Sequence, residues 1–440
     1  MRVFNLIWSG QAASLIGTAM TTFGIGVWVF TRTGSPTAFA TLILAGSLPG
    51  LLTLPFAGVL VDRWDRRLVM LLSDTAAAVV PLTVLTLNSA GMLRLWHVYV
   101  LVAVGSVFKA FQFPAFSALV PQLVSKDDLG RANSRESVAE AGGMVFGDLL
   151  GGALYGVLGL NGLLLIDLGT FCVALSTTLH SYRLRPAIPP VRAKDAPPRR
   201  MRADMAEGWR FIRQRSGLLG LLVFFAFYNL MMEVALVLLA PLVLSSNPPS
   251  TLGAVNAAGA VGMIVVSGVM SFTRQPRRLV RAVLAVAVLH GVLLLVMGVG
   301  HAAPLLLAVG MFGVLGGYAV TNSATTTLWQ RKTPTGLQGR VFSVRRLLAW
   351  SADPVAFALA GPVAAYVGTP LADAGGPLPD TVVRLTGTGT SGGIAMVFLL
   401  SGVLLTGVVA ATCLLRSVRR LERELPDADE PEPAVSAAAP

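Results

Sequence analysis

Twelve runs of roughly 20 predominantly apolar residues, each long enough to cross a bilayer's hydrocarbon core, set the rhythm of the chain. In the first half they fall near 5–30, 37–61, 68–90, 95–118, 137–158 and 161–182. In the second half they fall near 217–245, 250–272, 279–299, 303–327, 342–367 and 391–415. Polar interruptions are short, and only Leu160-Asn161-Gly162 divides the fifth run from the sixth. The first run has a basic start and continues to Phe30 without a clear cleavage site, so it reads as a first span, not a removed signal peptide. The pattern predicts an all-α integral membrane protein with twelve transmembrane helices.

Composition agrees. Of 440 residues, 54% are hydrophobic and 13% charged, with a mean hydropathy of +0.71; a soluble chain is about a quarter charged. With both termini placed in the cytoplasm, 30 of the 34 Lys and Arg residues fall on that side. The outer loops hold Arg32, Arg94 and Arg384, and Lys109 lies inside the fourth run. This asymmetry obeys the positive-inside rule and predicts a multi-pass protein of the plasma membrane. It also accounts for the net charge of +12, so no nucleic-acid partner is expected. Cys172 and Cys413 both lie in apolar runs and imply no disulfide framework.

The chain repeats itself. SKDDLGRANSRES (125–137) and PTGLQGRVFSVRR (334–346) align at an offset of 209, pairing Gly130 with Gly339 and Arg131 with Arg340. DRRLV (65–69) and PRRLV (276–280) align at 211. Two pseudo-symmetric six-span halves follow, residues 1–182 and 217–416. Between them, 183–216 is a basic, Pro-rich linker ending in an amphipathic helix expected along the inner membrane face. Residues 417–440 form an acidic, Pro- and Ala-rich tail expected to be disordered.

Between the second and third runs stands FAGVLVDRWDRRLVM (56–70), a knot of five charges between two apolar segments. GVLVDRWDRR (58–67) resembles the signature loop of the major facilitator superfamily, matching at Gly58, Leu60, Asp62, Arg63, Arg66 and Arg67, with Asp65 where that family has a second glycine. GMVFGDLLGG (143–152) is similar to the superfamily's antiporter motif. It keeps Gly143, Gly147, Gly151 and Gly152 but has Asp148 in place of a proline. Together with the repeat, these motifs make the chain resemble the macrolide-efflux-like branch of the drug:proton antiporters over residues 1–416. The resemblance implies two halves rocking about a central site. It also implies an inner latch in which Asp62 docks near the start of the eleventh span, around Arg340 to Arg346. A solvated, orientation-setting loop is the plainer reading of these charges, but orientation needs the arginines and not Asp62. The glycines at 143, 147 and 151 recur every four residues and predict a helix face that another backbone approaches closely.

Charges inside the spans point to the working site. Lys109, Asp148 and Glu233 each cost roughly 2.5–3.5 kcal/mol near a span centre, so each is expected to face a partner or a wet cavity. Glu233 is the first candidate for a carboxylate that titrates during transport. Lys109 is either its counter-charge or a ligand for an anionic group on the substrate. Static buried pairing is the alternative for both. Asp74, Glu140, Asp167 and Asp353 are assigned structural roles nearer the span ends, and Phe111, Phe113 and Tyr228 are candidate cavity aromatics.

No lysine follows a glycine in a P-loop, the histidines and cysteines show no metal-ligand spacing, and no GxSxG elbow occurs. The expectation is a monomeric non-enzyme without cofactors, its driving ion the proton and its partners a small molecule and the lipid bilayer. It would export an amphipathic compound. An importer or facilitator of the same fold, or a non-transporting membrane sensor, remains the alternative.

Overall fold

A computed structural model of the chain describes residues 1–64, 66–125, 128–184, 201–273, 276–373 and 379–428; at a few of these, including Asp62, Arg63, Arg66 and Arg67, only the backbone is described. Those residues form helices and short turns, with no strand among them. The first half contains α1 (Arg2–Thr33), α2 (Pro36–Arg63), α3 (Arg66–Ser89), α4 (Leu95–Leu123) and α5 (Leu129–Leu184). The linker helix α6 (Met201–Arg213) leads to α7 (Ser216–Val237), α8 (Leu239–Leu244), α9 (Pro249–Phe272), α10 (Leu279–Val299), α11 (Pro304–Lys332) and α12 (Thr335–Val363). Short helices α13 (Thr369–Ala372) and α14 (Asp380–Thr386) precede α15 (Gly389–Leu414), α16 (Arg416–Arg419) and α17 (Leu421–Glu424).

Local chemistry sets the turns. At Thr33-Gly34-Ser35-Pro36 the first hairpin uses a left-handed glycine (φ 59°) to end α1. The Ser35 side chain then caps α2 by accepting from the Ala38 N–H, and Pro36 occupies the first turn. Among the described residues eleven helices are long and apolar enough to span a membrane, and one of them, α5, is two spans in one. At Gly159 the backbone takes φ 62° and ψ −171°, a region open to glycine. Contacts with α1 show that the chain reverses there. Going up α1, Leu15, Ala19 and Phe23 meet Gly143, Gly147 and Gly151 of the first limb, whereas Gly10, Gly17 and Gly24 meet Thr177, Thr170 and Leu163 of the second. One limb runs with α1 and the other against it. The bundle therefore has twelve spans.

The spans assort into two sets of six, carried by α1–α5 and by α7–α15, joined by pseudo-symmetric crossings of α2 with α12 and of the first α5 limb with α9. Both crossings lie at the end remote from the N-terminus, called here the far end. There Gly152 and Gly253 bring α5 and α9 together, and Gly361 of α12 abuts Thr37 of α2. A methyl at Gly361 would lie 2.3 Å from Thr37 Cα, so the contact is backbone to backbone.

Two peripheral expectations are revised. The apolar side of α6 is occupied by protein, not lipid: Phe211 and Ile212 are buried, Gly208 abuts the Arg340 carbonyl, and Glu207 pairs with Arg340. Nor does disorder begin at 417. Val418 and Leu421 are buried against Gly220 and Gly217 of α7, and Lys332 binds the Leu425 carbonyl and pairs with Asp427 at 2.8 Å. An amphipathic segment is satisfied equally by a bilayer or by a helix rim, and here the rim takes both. Residues 185–200 and 429–440 lie outside the described residues.

Candidate functional site

Two cavities open between the spans. The first, of about 370 Å³, is set within the first half and reaches the seam. Its walls are apolar at Phe23, Phe39 and Phe171 and polar at Thr18, Asp74, Lys109, Gln112, Asp148 and Asp167, with Leu252 and Asn256 of the second half at one edge. The second cavity, of about 630 Å³, lies among α7, α11 and α12 and is lined by Tyr228, Glu233, Tyr318, Asn322, Arg345, Arg346 and Asp353.

Hydrogen bonds divide the carboxylates sharply. Asp74 accepts from Gln11 of α1 at 2.9 Å and from Gln112 of α4 at 2.5 Å. Asp167 accepts from Thr18 of α1 at 3.2 Å. Asp148 accepts from Asn256 of α9 at 3.0 Å. Each thus has a donor, which a carboxylate away from water requires. Glu233 and Asp353 share the second cavity, and among the described residues neither has a hydrogen bond or an ion pair. The nearby cation Arg345 lies 5.7 Å from the ring centres of both Trp329 and Phe342. Behind the wall, the Tyr228 hydroxyl and His290 Nδ1 are 2.6 Å apart and both residues are buried.

The expected residues are therefore separated. Lys109 and Asp148 line the first cavity and Glu233 the second. Lys109 is not the counter-charge of Glu233; the charge acting on it is Asp167. Asp353, expected near a span end, stands inside α12 facing the same space as Glu233. Asp74 and Asp167 also line a cavity, while Glu140 is exposed early in α5. Tyr228 lines the second cavity, Phe111 packs instead among apolar residues such as Leu119 near the N-terminal end, and the Phe113 side chain lies outside the described residues. Gly143, Gly147 and Gly151 face α1, and Gly152 faces α9. Of the repeat-loop pair, Arg131 bonds Asp128 locally at 3.2 Å, whereas Arg340 pairs with Glu207 of the linker helix. Gly130 and Gly339 are open, with no neighbour among the described residues in reach of an added methyl. Of the 58–67 motif, Gly58 is helical on the last turns of α2 and Leu60 and Trp64 are exposed, while Asp65 and the side chains of Asp62, Arg63, Arg66 and Arg67 lie outside the described residues. Asn256 and Arg345 were missed by sequence reasoning. Asn256 was visible as an amide in an apolar run, TLGAVNAAGA, and Arg345 was absorbed into the topology count.

The sequence profile of the Major Facilitator Superfamily matches residues 7–356. Macrolide efflux protein A of Streptococcus pyogenes is 27% identical over 370 residues, covering 83% of this chain and 90% of the relative. Multidrug efflux pump Tap of Mycolicibacterium fortuitum is 27% identical over 349 residues, covering 77% and 84%. Among solved structures, an auto-inhibited POT family peptide transporter superposes with a TM-score of 0.69 at 11% identity, over 98% of this chain and 99% of that one. A bacterial homologue of the iron transporter ferroportin, in an inward-facing state, superposes with a TM-score of 0.66 at 17% identity, over 94% and 99%. At these identities the superpositions speak for the fold.

Proposed function

The chain belongs to the major facilitator superfamily, a family of transporters and not of enzymes, and we propose that it exports an amphipathic small molecule in exchange for protons by alternating access. The observation that carries this reading is the bare carboxylate pair, Glu233 and Asp353, in the second cavity. Two carboxylates at membrane depth without donors are costly when both are ionised. A proton or a cationic group of the cargo relieves that cost, and each excludes the other. Such mutual exclusion is the elementary requirement of antiport. Glu233 is the coupling group and Asp353 its partner.

The efflux relatives support export of a drug-like compound, and placement in the plasma membrane goes with it. With the termini in the cytoplasm, the closed far end faces outward and both cavities belong to an inward-open state. In that reading the 58–67 loop latches the near end once it closes, with Asp62 docking by the start of α12. The electropositive N-terminus of a helix suits a carboxylate there.

Inside-out membrane vesicles test the proposal. A radiolabelled macrolide added to energised vesicles should accumulate, and adding it should release protons from the acidified lumen. Entry of the label only to equilibrium, without accumulation or proton movement, would assign a facilitator. Neither entry nor proton movement across a panel of amphipathic drugs would favour the non-transporting sensor.

A further inference from the structure

Asp148 occupies the place where the antiporter-like motif would carry a proline, and its hydrogen bond differs in kind from those of the other carboxylates. Asp74 and Asp167 take their donors from α1 and α4, inside their own half. Asp148 takes its donor, Asn256 Nδ2, from α9 of the opposite half. The bond lies on a crossing with no room to slip. A methyl at Gly253 would fall 2.5 Å from the Asp148 carbonyl oxygen, and one at Gly152 would fall 2.8 Å from that of Pro249.

Rigid halves that rock apart keep their internal bonds and lose those that cross the seam. Asp148 is thus a carboxylate whose bonding must change when the far end opens. A group bonded in one state and released in the other shifts the balance by that difference. An amide N–H holds an ionised carboxylate more strongly than a protonated one. Lys109 from α4 shares the cavity, Asp167 and Asp74 have donors of their own, and α9 presents the uncharged Asn256.

We infer that Asp148 and Asn256 form a proton-sensitive bolt on the far-end seam: ionised, Asp148 holds the halves shut, and protonated, it lets them part. The inference rests on alternating access, but not on Glu233 carrying the coupling proton. Asp148 acts as a positioning residue and need not touch cargo.

Spin labels on Thr33→Cys and Ser246→Cys, in a Cys172→Ala/Cys413→Ala background, report the far-end separation by electron–electron resonance. Asp148→Leu and Asn256→Leu should each raise the open-to-closed ratio by about tenfold or more, the worth of a charge-assisted hydrogen bond. The double variant should go no further than either single one. Asp148→Asn should flatten the rise in open population from neutral to mildly acidic pH, and Asp148→Asn/Asn256→Asp should restore it. Should the Leu variants fail to fold, this exchanged pair carries the test alone. Unchanged distances in the Leu variants, or a surviving pH response in Asp148→Asn, would overturn the bolt. Glu233→Gln should leave the distance response to pH intact, which separates this inference from the coupling assignment. A far end that never opens under any condition would sink both the bolt and alternating access.

Discussion

The two cavities hold carboxylates in opposite conditions. In the first, Asp74 has two amide donors, Asp167 has a threonine hydroxyl and Asp148 an asparagine, with Lys109 nearby. In the second, Glu233 and Asp353 face one another's charge with no hydrogen bond or ion pair among the described residues, Arg345 and Arg346 lining the same cavity. A satisfied network in a low-dielectric interior fixes geometry. An unsatisfied pair is a vacancy for something that arrives and leaves. On the proposed function, the difference assigns scaffold to Asp74 and Asp167, whose donors lie in their own half, and exchange to the second cavity's pair, with Asp148 set apart by its donor across the seam.

The sharpest way to break that assignment is Glu233→Gln, which keeps shape and hydrogen-bonding capacity while fixing the group uncharged. Uphill, pH-driven accumulation in vesicles should fall at least tenfold, while downhill exchange of preloaded cargo continues. Near-normal accumulation would remove Glu233 from the coupling role and erase the contrast. Asp74→Leu should have the next largest effect, and on stability instead of coupling. It leaves the half-buried Gln11 and Gln112 amides without their acceptor, at roughly 1–3 kcal/mol for each unsatisfied group. The thermal midpoint in detergent should drop clearly, whereas Asp353→Leu, which strands no donor, should leave it nearly unchanged. Equal losses from the two would mean that both cavities are scaffold.

The twelve spans, the two halves and the intramembrane charges were legible because lipid enforces long apolar runs and makes each interruption conspicuous. Glu233 in YNLMMEVALV stood out for that reason. Its partner did not. Asp353 comes from α12, and the facing of α7 by α12 is a tertiary fact that no local period encodes. Lys109 and Asp167 were both read, yet Lys109 was offered to Glu233 instead, since sequence distance does not reveal which cavity a side chain enters. The break at Gly159 was read one residue late, from Leu160-Asn161-Gly162, because the signal is a single backbone angle. In the tail, acidic and proline-rich composition outweighed a usable pattern: Val418, Leu421 and Leu425 recur at helical spacing, and the first two are buried.

That tail supplies the smallest test, because it exists only on the second half's rim. There Glu422 accepts from the Leu279 N–H at 2.8 Å and the Val280 N–H at 3.3 Å, capping the first turn of α10 from outside the helix. Lys332 grips the Glu422 carbonyl at 3.3 Å and Asp427 at 2.8 Å, and the Ala428 N–H donates to the Arg331 carbonyl at the end of α11. The first half's rim is held more simply, by Arg135 bonding Asn5 and by the Trp8 indole N–H donating to the Arg135 carbonyl at 2.9 Å. A strap bound to α7, α10 and α11 stiffens the half that carries the bare carboxylates. Glu422→Gln keeps an acceptor but removes the charge that complements the α10 N-terminus, a loss of about 0.3–1 kcal/mol. Residues 416–428 should then be cleaved faster by protease in the native state, with transport reduced less than twofold. Unchanged cleavage would show the capping charge to be inert, and transport lost outright would move the tail from a brace to a part of the cycle.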